Sequence, residues 1–551
     1  MEKTVELQTL DDELTHRRMD TSISDSKPGK DFDRDQYDLA RVGKNQVLKR
    51  RFGLVSMTGL SCGLMCTWET LLVVLFVGLN NGGPAGLIYG FFLIWIGNLS
   101  VFFTIGELSS AIPTAGGQYH WVALLAPRST RRFFSYMTGW LTVIGWIAAL
   151  TAVSYFVVDL ILKLVELNHG DYESKEWQGT LLVYALLLLC VAINIFASGA
   201  LPAIEVVVLI FHILGFFGIL IPLVYLSPNH KSAKEIFTSF TNGGEWDSKT
   251  LAFFIGLQGN ALAFVGTDSA VHMSEEVKNA SVDVPKSMIY SLFINGCLAL
   301  GMLFAILFSM PDEVPTALRY PFVYIFESAV GSTTGATIMV SIVIVLEFCS
   351  ALGCLAAASR MTWSFARDKG LPFAELLSVI DRRTTIPVVA IVVVTVSSAL
   401  LAVINFGNYT AFNGVISMVL EGFYISYLLA VGLLLWRRLR GDIGDHDPDS
   451  VHPTTFTSGS AVEEMEHHLT WGPWRLKGAL GVINNAVACC YLILLIFFSF
   501  WPAAPDVAEG AAMNWAVLVT GAVALFSVGY YAIWARKSYK GPIVEINLHT
   551  S

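Results

Sequence analysis

Charged residues are scarce in this chain, and their scarcity excludes most classes of soluble protein. Of its 551 residues, 14% are charged and 54% are hydrophobic, whereas soluble domains carry roughly 25% charged residues. The mean hydropathy is +0.59. We therefore expect the chain to have a lipid bilayer as its surroundings.

Other absences narrow the class further. No Walker or HExxH motif occurs along the chain, so we expect no ATPase or zinc-hydrolase chemistry. The net charge of −9 is spread over tails and loops and does not support nucleic-acid binding. The eight cysteines contain no CxxC pair and fall inside apolar runs, which favours core positions over disulfides or metal ligands. The sequence therefore predicts no enzyme, no cofactor and no metal site.

Apolar runs of about twenty residues recur along the chain, and each is long enough to cross roughly 30 Å of hydrocarbon. Twelve such runs are predicted as spans, at approximately residues 53–79, 87–111, 134–163, 179–198, 204–226, 250–274, 288–310, 333–360, 387–405, 411–436, 479–500 and 513–535. We therefore expect an all-α membrane protein with one twelve-helix domain at 51–536.

The segments outside the spans are polar. Residues 1–50 have no apolar core near Met1, so they predict a disordered tail and not a cleavable signal peptide. Lysine and arginine concentrate in this tail and in every second loop. Because positively charged loops stay in the cytoplasm, both the tail at 1–50 and the one at 537–551 are predicted to be cytoplasmic.

The sixth span is the most informative segment. It begins as an apolar helix and is interrupted at Gly266, Thr267 and Asp268. In hydrocarbon the freed backbone groups need partners, so such a break persists only where it lines a cavity or contacts a bound solute. This pattern is typical of the substrate site of a transporter.

The first span contains a second candidate break. Gly59, Ser61 and Gly63 weaken the helix within a few residues, at about 1 kcal/mol for each glycine relative to alanine. Breaks in spans 1 and 6 would correspond in a five-plus-five inverted repeat, with the binding site between them. The alternative is that these glycines only permit close helix packing.

Ionisable residues inside the predicted spans are costly and are therefore candidate functional groups. Glu69 could attract a cationic substrate or carry a proton, or it could pair near the outer boundary. Asp268 is expected to cap the second half of span 6. His212 either titrates during coupling or is a satisfied core histidine. The predicted set of coupling residues is His212, Asp268, Glu347 and Glu421.

Two further features of the third span allow more than one interpretation. Trp146 could face the site or serve packing alone. Asp159 and Lys163 are four residues apart, so we expect them to pair with each other along the helix.

Several segments resemble the amino acid–polyamine–organocation superfamily, and specifically the fungal amino acid/choline permease family, which includes GABA and choline permeases. The matching segments are GGPAG (82–86), GELSSAIPTAGGQYHW (106–121), MTGWLTVIGW (137–146), AFVGTDSAVHMSEEVKNASVDVP (263–285) and SFARDKGLP (364–372). The resemblance covers about residues 50–540.

This resemblance implies a LeuT-like fold with substrate held between spans 1, 3, 6 and 8. It also implies a secondary active permease of the plasma membrane that imports a small amine solute, such as an amino acid, GABA or choline, with a proton as the coupling ion. Two alternatives stay open. One is a nutrient receptor that binds without transporting, and the other is a polyamine transporter.

The resemblance also assigns site residues. Backbone carbonyls of the span 6 break would face the substrate amine, with Phe264 as an aromatic gate. Gly59, Leu60 and Ser61 stand where amino acid permeases carry a Gly-Ser-Gly that holds a carboxylate, and Leu262 stands where choline permeases tend to have an aromatic residue. The full predicted substrate-binding set is Gly59, Leu60, Ser61, Glu69, Trp146, Phe264, Val265, Gly266 and Thr267.

Overall fold

The computed structural model describes residues 34–228, 230–312, 314, 318–403, 409–445, 469–502, 504–507, 513–543 and 545. Over these ranges the elements are helices, and extended pairing is limited to three isolated β-bridges. In chain order the α-helices are α1 (Arg34–Arg41), α2 (Leu54–Met65), α3 (Thr67–Val73), α4 (Leu75–Asn80), α5 (Gly83–Ala111), α6 (Gln118–Leu125), α7 (Arg131–Asn168), α8 (Glu176–Phe196), α9 (Leu201–Leu226), α10 (Ala233–Thr238), α11 (Lys249–Leu262), α12 (Ser269–His272), α13 (Ala280–Phe308), α14 (Pro321–Val330), α15 (Thr333–Arg367), α16 (Ala374–Leu377), α17 (Val388–Ala402), α18 (Tyr409–Arg440), α19 (Gly478–Ser499), α20 (Ala516–Tyr530) and α21 (Arg536–Ser538).

Within the described part of the chain, nine helices are long and apolar enough to cross a membrane. They are α5, α7, α8, α9, α13, α15, α18, α19 and the run Ala516–Ser538 that begins with α20. Large apolar side chains such as Leu188, Leu214 and Leu525 are exposed on the outside of the bundle, as lipid-facing positions require. The protein is therefore a multi-pass helical membrane protein.

The first predicted span is interrupted at Cys66, and the expected break at Gly59–Gly63 is wrong in position. Helix α2 runs unbroken through those glycines, and Cys66 then takes left-handed backbone angles (φ 42°, ψ 49°) before α3 begins. A Cβ on Gly59 would overlap the backbone carbonyl oxygen of Glu205 in α9. The glycines therefore permit a close crossing of α2 and α9, the alternative that the sequence left open.

The sixth predicted span is divided where the sequence indicated. Helix α11 ends at Leu262, residues 263–268 form turns, and α12 follows as a single helical turn before a 3₁₀ helix at Ser274–Glu276. Gly266 has φ +95°, which favours glycine, and a Cβ there would overlap the side chain of Leu64 in α2. The two breaks therefore face each other at close range.

Long helices enclose these two breaks. Helix α7 packs along α15 and α18, while α13 packs along α5 and the broken α2–α3 segment. Helix α9 crosses α2 on another side. A continuous cluster of buried apolar side chains joins these helices, so the breaks lie inside a packed bundle and away from lipid.

The segment that precedes α2 is folded, which corrects the expectation of a disordered tail over its described part. Helix α1 lies beside the start of α13, where the two carboxylate oxygens of Asp35 accept the backbone N–H groups of Asn279 (2.7 Å) and Ala280 (2.9 Å). This contact caps the N-terminus of α13. The charge of Asp35 therefore stabilises the start of α13. The expectation of disorder for 1–33 falls outside the described residues.

The predicted C-terminal tail also returns to the bundle over its described residues. Tyr539 is buried and its hydroxyl shares a 2.5 Å hydrogen bond with that of Ser135 in α7. The backbone N–H of Ile543 donates to a carboxylate oxygen of Asp368 at 2.9 Å. The described residues of this segment therefore complete polar groups at the helix ends.

Candidate functional site

A small cavity lies between the two helix breaks. The space in it that is free for water-sized molecules is about 40 Å³. Its walls come from Leu64 and Met65 of α2, Trp146 of α7, and Ser350 of α15, with Val419 of α18 closing one side. Hollows elsewhere on the described surface, such as the groove between α7 and α15, are more open. The cavity is therefore the natural place for a small bound molecule.

The span 6 break supplies part of the wall. Val265 and Gly266 line the cavity, together with Leu262 at the end of α11. Phe264 points elsewhere and packs against Phe91 of α5 with ring centroids 5.4 Å apart. The hydroxyl of Thr267 contacts the sulfur of Met65 at 3.0 Å, outside the cavity wall. The break therefore meets the cavity through its backbone and small or aliphatic side chains.

The predicted residues of span 1 lie outside the cavity lining. Gly59, Leu60 and Ser61 occupy turns of α2 before Leu64, and none of the three is a lining residue. The run Gly59–Gly63 also fits the GxSxG pattern of hydrolases, but here it lies within a continuous helix. A nucleophile elbow requires a sharp strand-to-helix turn, so this match carries no catalytic meaning.

Trp146 does lie at the cavity. Its ring is fully buried and contacts Phe423 of α18 edge-on, with centroids 5.0 Å apart. On another side it meets the imidazole of His272 in α12, at 5.7 Å and an interplanar angle of 89°. Trp146 therefore connects the cavity wall to the segment that follows the span 6 break.

Glu69 and His212 form a buried pair next to the cavity. Because the break is at Cys66, Glu69 falls in the first turn of α3. His212 Nδ1 lies 2.7 Å from Glu69 Oε1, and both side chains are fully buried. Within the described residues, His212 Nε2 has no hydrogen-bond partner. The sequence predicted these residues separately, and the fold brings them together from helices 143 positions apart.

Glu347 belongs to the same polar cluster. The hydroxyl of Thr70 donates to Glu347 Oε1 at 2.9 Å, and Thr70 itself lines the cavity. Glu347 is close enough to Glu69 for the two carboxyl groups to repel each other. The chemistry available at this end of the cavity is therefore that of two acidic groups and one imidazole, which suits a cation or a proton.

Asp268 occupies the N-cap position of α12, but its side chain makes no capping hydrogen bond. The expected capping role is therefore wrong. Asp268 Oδ2 instead accepts a hydrogen bond from Gln118 Nε2 of α6 at 2.7 Å and lies 3.3 Å from His272 Nε2. His272 Nδ1 faces the carbonyl oxygen of Ala115 at 2.9 Å. This cluster ties the span 6 break to the turn at 112–118.

Glu421 lies apart from these groups. Its carboxylate accepts a hydrogen bond from Thr520 of α20, and it is not a lining residue of the cavity. The contact places it at the interface of α18 and α20. Its predicted part in coupling stays a prediction, without a geometric link to the site.

Beyond α12, a network of ion pairs closes the end of the cavity that the tails cover. Arg367 of α15 makes two 3.0 Å hydrogen bonds to Glu275. Lys44 pairs with Asp368 at 2.5 Å. Glu545 bridges this network, at 3.1 Å from Arg367 and 3.4 Å from Lys44. The sequence did not predict this closure, because it gave no partners to the charged residues of either tail.

Two titratable groups in this network have shifted pKa values. Burial opposes the charge of Asp368, but Lys44 and then Arg367 outweigh it and hold the pKa of Asp368 below its usual value. Burial, and next the charge of Lys44, lowers the pKa of His120 in α6 to about 3. Asp368 is therefore ionised and His120 neutral at physiological pH.

A second closure lies at the opposite end of α7. Asp159 is 3.1 Å from Arg319 Nε and accepts a 2.5 Å hydrogen bond from the hydroxyl of Tyr320. Lys163 pairs with Glu166 at 3.3 Å, so the expected pairing of Asp159 with Lys163 is wrong. Asp159 instead binds Arg319 and Tyr320, which lie just before α14. Ion pairs therefore close the bundle on both sides of the cavity.

Sequence reasoning also missed Glu205. It lies in the first turns of α9, is buried, and its backbone meets Gly59 at the crossing with α2. The signal was present, because a glutamate in an apolar span is itself a functional candidate. Its carboxylate lies near Gly63 of α2, and it is not a lining residue of the cavity.

Fold and site together define a multi-pass helical membrane protein with a small internal cavity between two broken helices. A family profile described as amino acid permease matches residues 52–523. The protein therefore belongs to the amino acid permease family. Members of this family are transporters, so the chain is a permease and not an enzyme.

Individual relatives agree with this assignment at low identity. A Macrophomina phaseolina protein with the provisional name amino acid/polyamine transporter is 31% identical over 449 residues, covering 81% of this chain and 93% of the relative. The choline transporter of Saccharomyces cerevisiae is 26% identical over 497 residues, covering 89% and 83% respectively. The Arabidopsis thaliana amino-acid permease BAT1 is 25% identical over 540 residues, covering 94% and 97%.

Proposed function

We propose that this permease is a proton-coupled secondary transporter that imports a small amine solute, such as an amino acid, GABA or choline. The observation that carries the proposal is the cavity between the breaks at Cys66 and Gly266, with the Glu69–His212 pair near it and ion pairs at both ends of the bundle. A solute enclosed there would be shielded from both sides of the membrane at once. That is the intermediate that alternating access requires.

The proposed architecture is twelve spans in a LeuT-like five-plus-five inverted repeat. Nine long helices supply nine of these spans. The interrupted segments α2–α4 and α11–α12 would be spans 1 and 6, and α17, with 15 residues, would be span 9. The two interrupted spans would then hold equivalent positions in the two repeats, which supports a binding site between them.

The proposed substrate is an amine because acidic groups lie behind the polar part of the cavity wall, which is formed by residues such as Thr70 and Ser350. Glu69 and Glu347 lie one layer behind the wall, and Thr70 connects Glu347 to the cavity. Leu262, Val265 and Trp146 offer apolar contact to the rest of a small solute. Relatives named as choline, amino acid and amino acid/polyamine transporters support this substrate range and leave the individual solute open.

The proposed coupling residue is His212. Its Nδ1–H can donate to Glu69 whether the ring is neutral or cationic, because the carboxylate only accepts. Its Nε2 has no partner among the described residues, so a proton can bind there without breaking the pair. His212 is thus able to titrate in place, with Glu69 as its counter-ion.

We propose that the protein resides in the plasma membrane. Both of its termini would lie on the cytoplasmic side. The ion-pair network around Asp368 and Arg367 would then be the inner closure, and the contact between Asp159 and Arg319 the outer one. The concentration of lysine and arginine in the tails and alternate loops supports this direction.

Uptake into cells that lack their own amine permeases tests the proposal. One labelled substrate is competed against choline, GABA, basic amino acids and polyamines at two external pH values. We expect accumulation that rises at acidic pH and is blocked by one class of amine. Polyamine-selective competition would redirect the assignment to a polyamine transporter. Binding without accumulation would contradict transport and favour a nutrient receptor.

A further inference from the structure

The second buried histidine pair, Asp268 and His272, has a geometry that the transport proposal does not use. Both side chains have no exposed surface. His272 Nδ1 lies 2.9 Å from the carbonyl oxygen of Ala115, and His272 Nε2 lies 3.3 Å from Asp268 Oδ2. Each ring nitrogen therefore faces an acceptor.

This arrangement determines how many protons the pair holds. The carbonyl of Ala115 only accepts, so His272 Nδ1 must carry a proton. The contact between His272 Nε2 and Asp268 Oδ2 then needs one further proton, located either on the imidazole or on the carboxyl group. If that proton is lost, two lone pairs face each other in a buried site, and the contact becomes repulsive.

The contact that depends on this proton joins two segments. Asp268 and His272 belong to span 6 beyond the break, while Ala115 and Gln118 belong to the turn at 112–118 and the start of α6. Gly117 in that turn has φ +53° and packs directly against the ring of His272. Loss of the proton would therefore weaken the attachment of α12 to the turn.

The same pair reaches the cavity through one side chain. The ring of His272 packs edge-on against Trp146, which lines the cavity. Gly266, two residues before Asp268, lies beside both Trp146 and Leu64. A change in the position of α12 would therefore move the cavity wall. In turn, a bound solute would change the position of Asp268 and His272.

We propose that Asp268 and His272 bind a second proton, which holds the inner side of the cavity closed until it is released. This inference rests on the proposed transport function and adds a proton site that is distinct from His212. On release, the bond between the proton and its nitrogen or oxygen breaks, and water on the inner side accepts the proton. The pair then carries one negative charge, and α12 is free to leave the turn at 112–118.

Other titratable groups face the pair from neighbouring elements. Tyr427 of α18 and Cys354 of α15 both interact electrostatically with Asp268. Glu275 accepts the backbone N–H of Ala115 at 3.2 Å and is itself paired with Arg367. Tyrosine and cysteine are ordinarily neutral near pH 7, and the glutamate has its own counter-ion. The shared proton of Asp268 and His272 is therefore the one whose loss changes the contact with the turn.

The direction of the pH effect follows from the proton count. The closed state holds one more proton than the open state, so acid favours closure and alkali favours opening. If one proton is released, the opening equilibrium rises about tenfold for each pH unit in the range where the open pair is deprotonated. An inner side that opens at cytoplasmic pH after loading at an acidic exterior fits inward transport.

Hydrogen–deuterium exchange of the full chain in nanodiscs tests this proposal without substrate. Amide protection of residues 112–118 and 263–273 is measured at about pH 5.5 and about pH 7.5, which bracket the ordinary histidine pKa. After correction for intrinsic exchange, we expect wild-type protection to fall by about tenfold or more toward the higher pH.

Two substitutions distinguish the effect of the shared proton from the effect of the contact between Asp268 and His272. Asp268→Asn places an amide N–H against His272 Nε2, and Gln118 can present its oxygen to the second hydrogen, so the contact persists without a titrating proton. His272→Phe removes the contact at every pH. We expect high protection for Asp268→Asn and low protection for His272→Phe, each independent of pH. His120→Gln, which alters a neighbouring buried histidine, should keep the wild-type pH response.

The outcomes are distinct. Protection of the wild-type segments that does not change with pH would overturn the proposal. So would a wild-type pH response in both Asp268→Asn and His272→Phe, because the response would then arise elsewhere. If either variant fails to fold, the other still decides between these results. Uptake is measured separately, so a protein that transports but shows flat protection refutes the second proton site alone. Absent uptake with pH-dependent protection refutes the transport proposal alone.

Discussion

Two buried pairs of a histidine and a carboxylate occur among the described residues, and they differ in what a proton can do. At Glu69 and His212, one ring nitrogen holds the carboxylate and the other has no partner within the described residues. At Asp268 and His272, both ring nitrogens face acceptors. The first pair can gain or lose a proton without rearrangement, whereas the second must separate when its proton leaves.

The location of each pair matches this difference. His212 lies on α9, which crosses α2, and its partner is in the first turn of α3. His272 lies on a single helical turn and faces the backbone carbonyl of Ala115. Proton exchange that keeps a contact suits coupling, while proton loss that breaks a contact suits gating. The comparison teaches that the number of acceptors around a histidine matters more than its burial.

The largest expected effect compares the two histidines directly. His212→Phe leaves the buried carboxylate of Glu69 without a hydrogen-bond partner among the described residues, so we expect a loss of about 3–5 kcal/mol in the free energy of unfolding. His272→Phe leaves Asp268 with the hydrogen bond from Gln118, so the expected loss is smaller, about 1–3 kcal/mol. Unfolding of both variants in mixed micelles measures the difference. An equal or larger loss for His272→Phe would contradict the assigned geometry.

The next effect concerns the charge of the first pair. Glu69→Gln keeps an oxygen for His212 Nδ1 but removes the negative charge. We expect uptake of cationic amines to fall about tenfold or more, as loss of a charged contact predicts, and uptake of zwitterions to fall much less. Initial rates for one substrate of each class measure this.

A matched control is available on α18. Glu421 is a buried glutamate whose carboxylate is bound by Thr520, away from the cavity lining. Glu421→Gln should leave the ratio of cation to zwitterion uptake unchanged. If Glu69→Gln reduced both substrate classes equally, Glu69 would have no counter-ion role.

A third prediction sharpens the coupling role of His212. His212→Gln can still donate to Glu69 but cannot titrate, so uptake should lose its dependence on external pH. Exchange of internal for external substrate needs no net proton movement and should stay within about twofold of wild type. Uptake and exchange measured across pH in the same cells check this. A wild-type pH profile in the variant would remove His212 from the mechanism.

The smallest effect is expected at His120, whose pKa is lowered to about 3 by burial and then by Lys44. Its neutral form in the fold means that His120→Gln should leave the pH profile of uptake unchanged. The unfolded chain binds a proton at His120 below about pH 6.5, so wild-type stability falls as the pH drops through that value. Between about pH 7.5 and about pH 5.5, the free energy of unfolding should fall by roughly 1 kcal/mol less in His120→Gln than in the wild type. Thermal unfolding at the two pH values measures it, and identical pH slopes would contradict the prediction.

The sequence predicted the polar groups of the first pair but not their partnership. Glu69, His212 and Glu347 stood out because each is costly in an apolar span. Their contact depends on the rotation and crossing of helices far apart in the chain, which hydropathy does not encode. His272 was missed for a different reason, because the polar residues after the break read as a loop end.

The sequence also predicted one of the two helix breaks correctly and misplaced the other. Gly266 marked the span 6 break correctly, since both its backbone angle and its contact with Leu64 require glycine. In span 1, glycines misled the prediction because they permit close packing as readily as a kink, and the break at Cys66 has no compositional signal. The N-terminal tail was misjudged because its charges pair with buried groups that the sequence alone does not reveal.

The central claim is that His212 carries the transported proton beside the cavity. The most direct test reconstitutes the purified protein in liposomes that contain a pH indicator and adds an accepted amine outside. We predict that substrate acidifies the lumen for the wild type, and that His212→Gln still exchanges substrate without moving protons. Acidification that persists in His212→Gln, at the same ratio to substrate, would contradict the account.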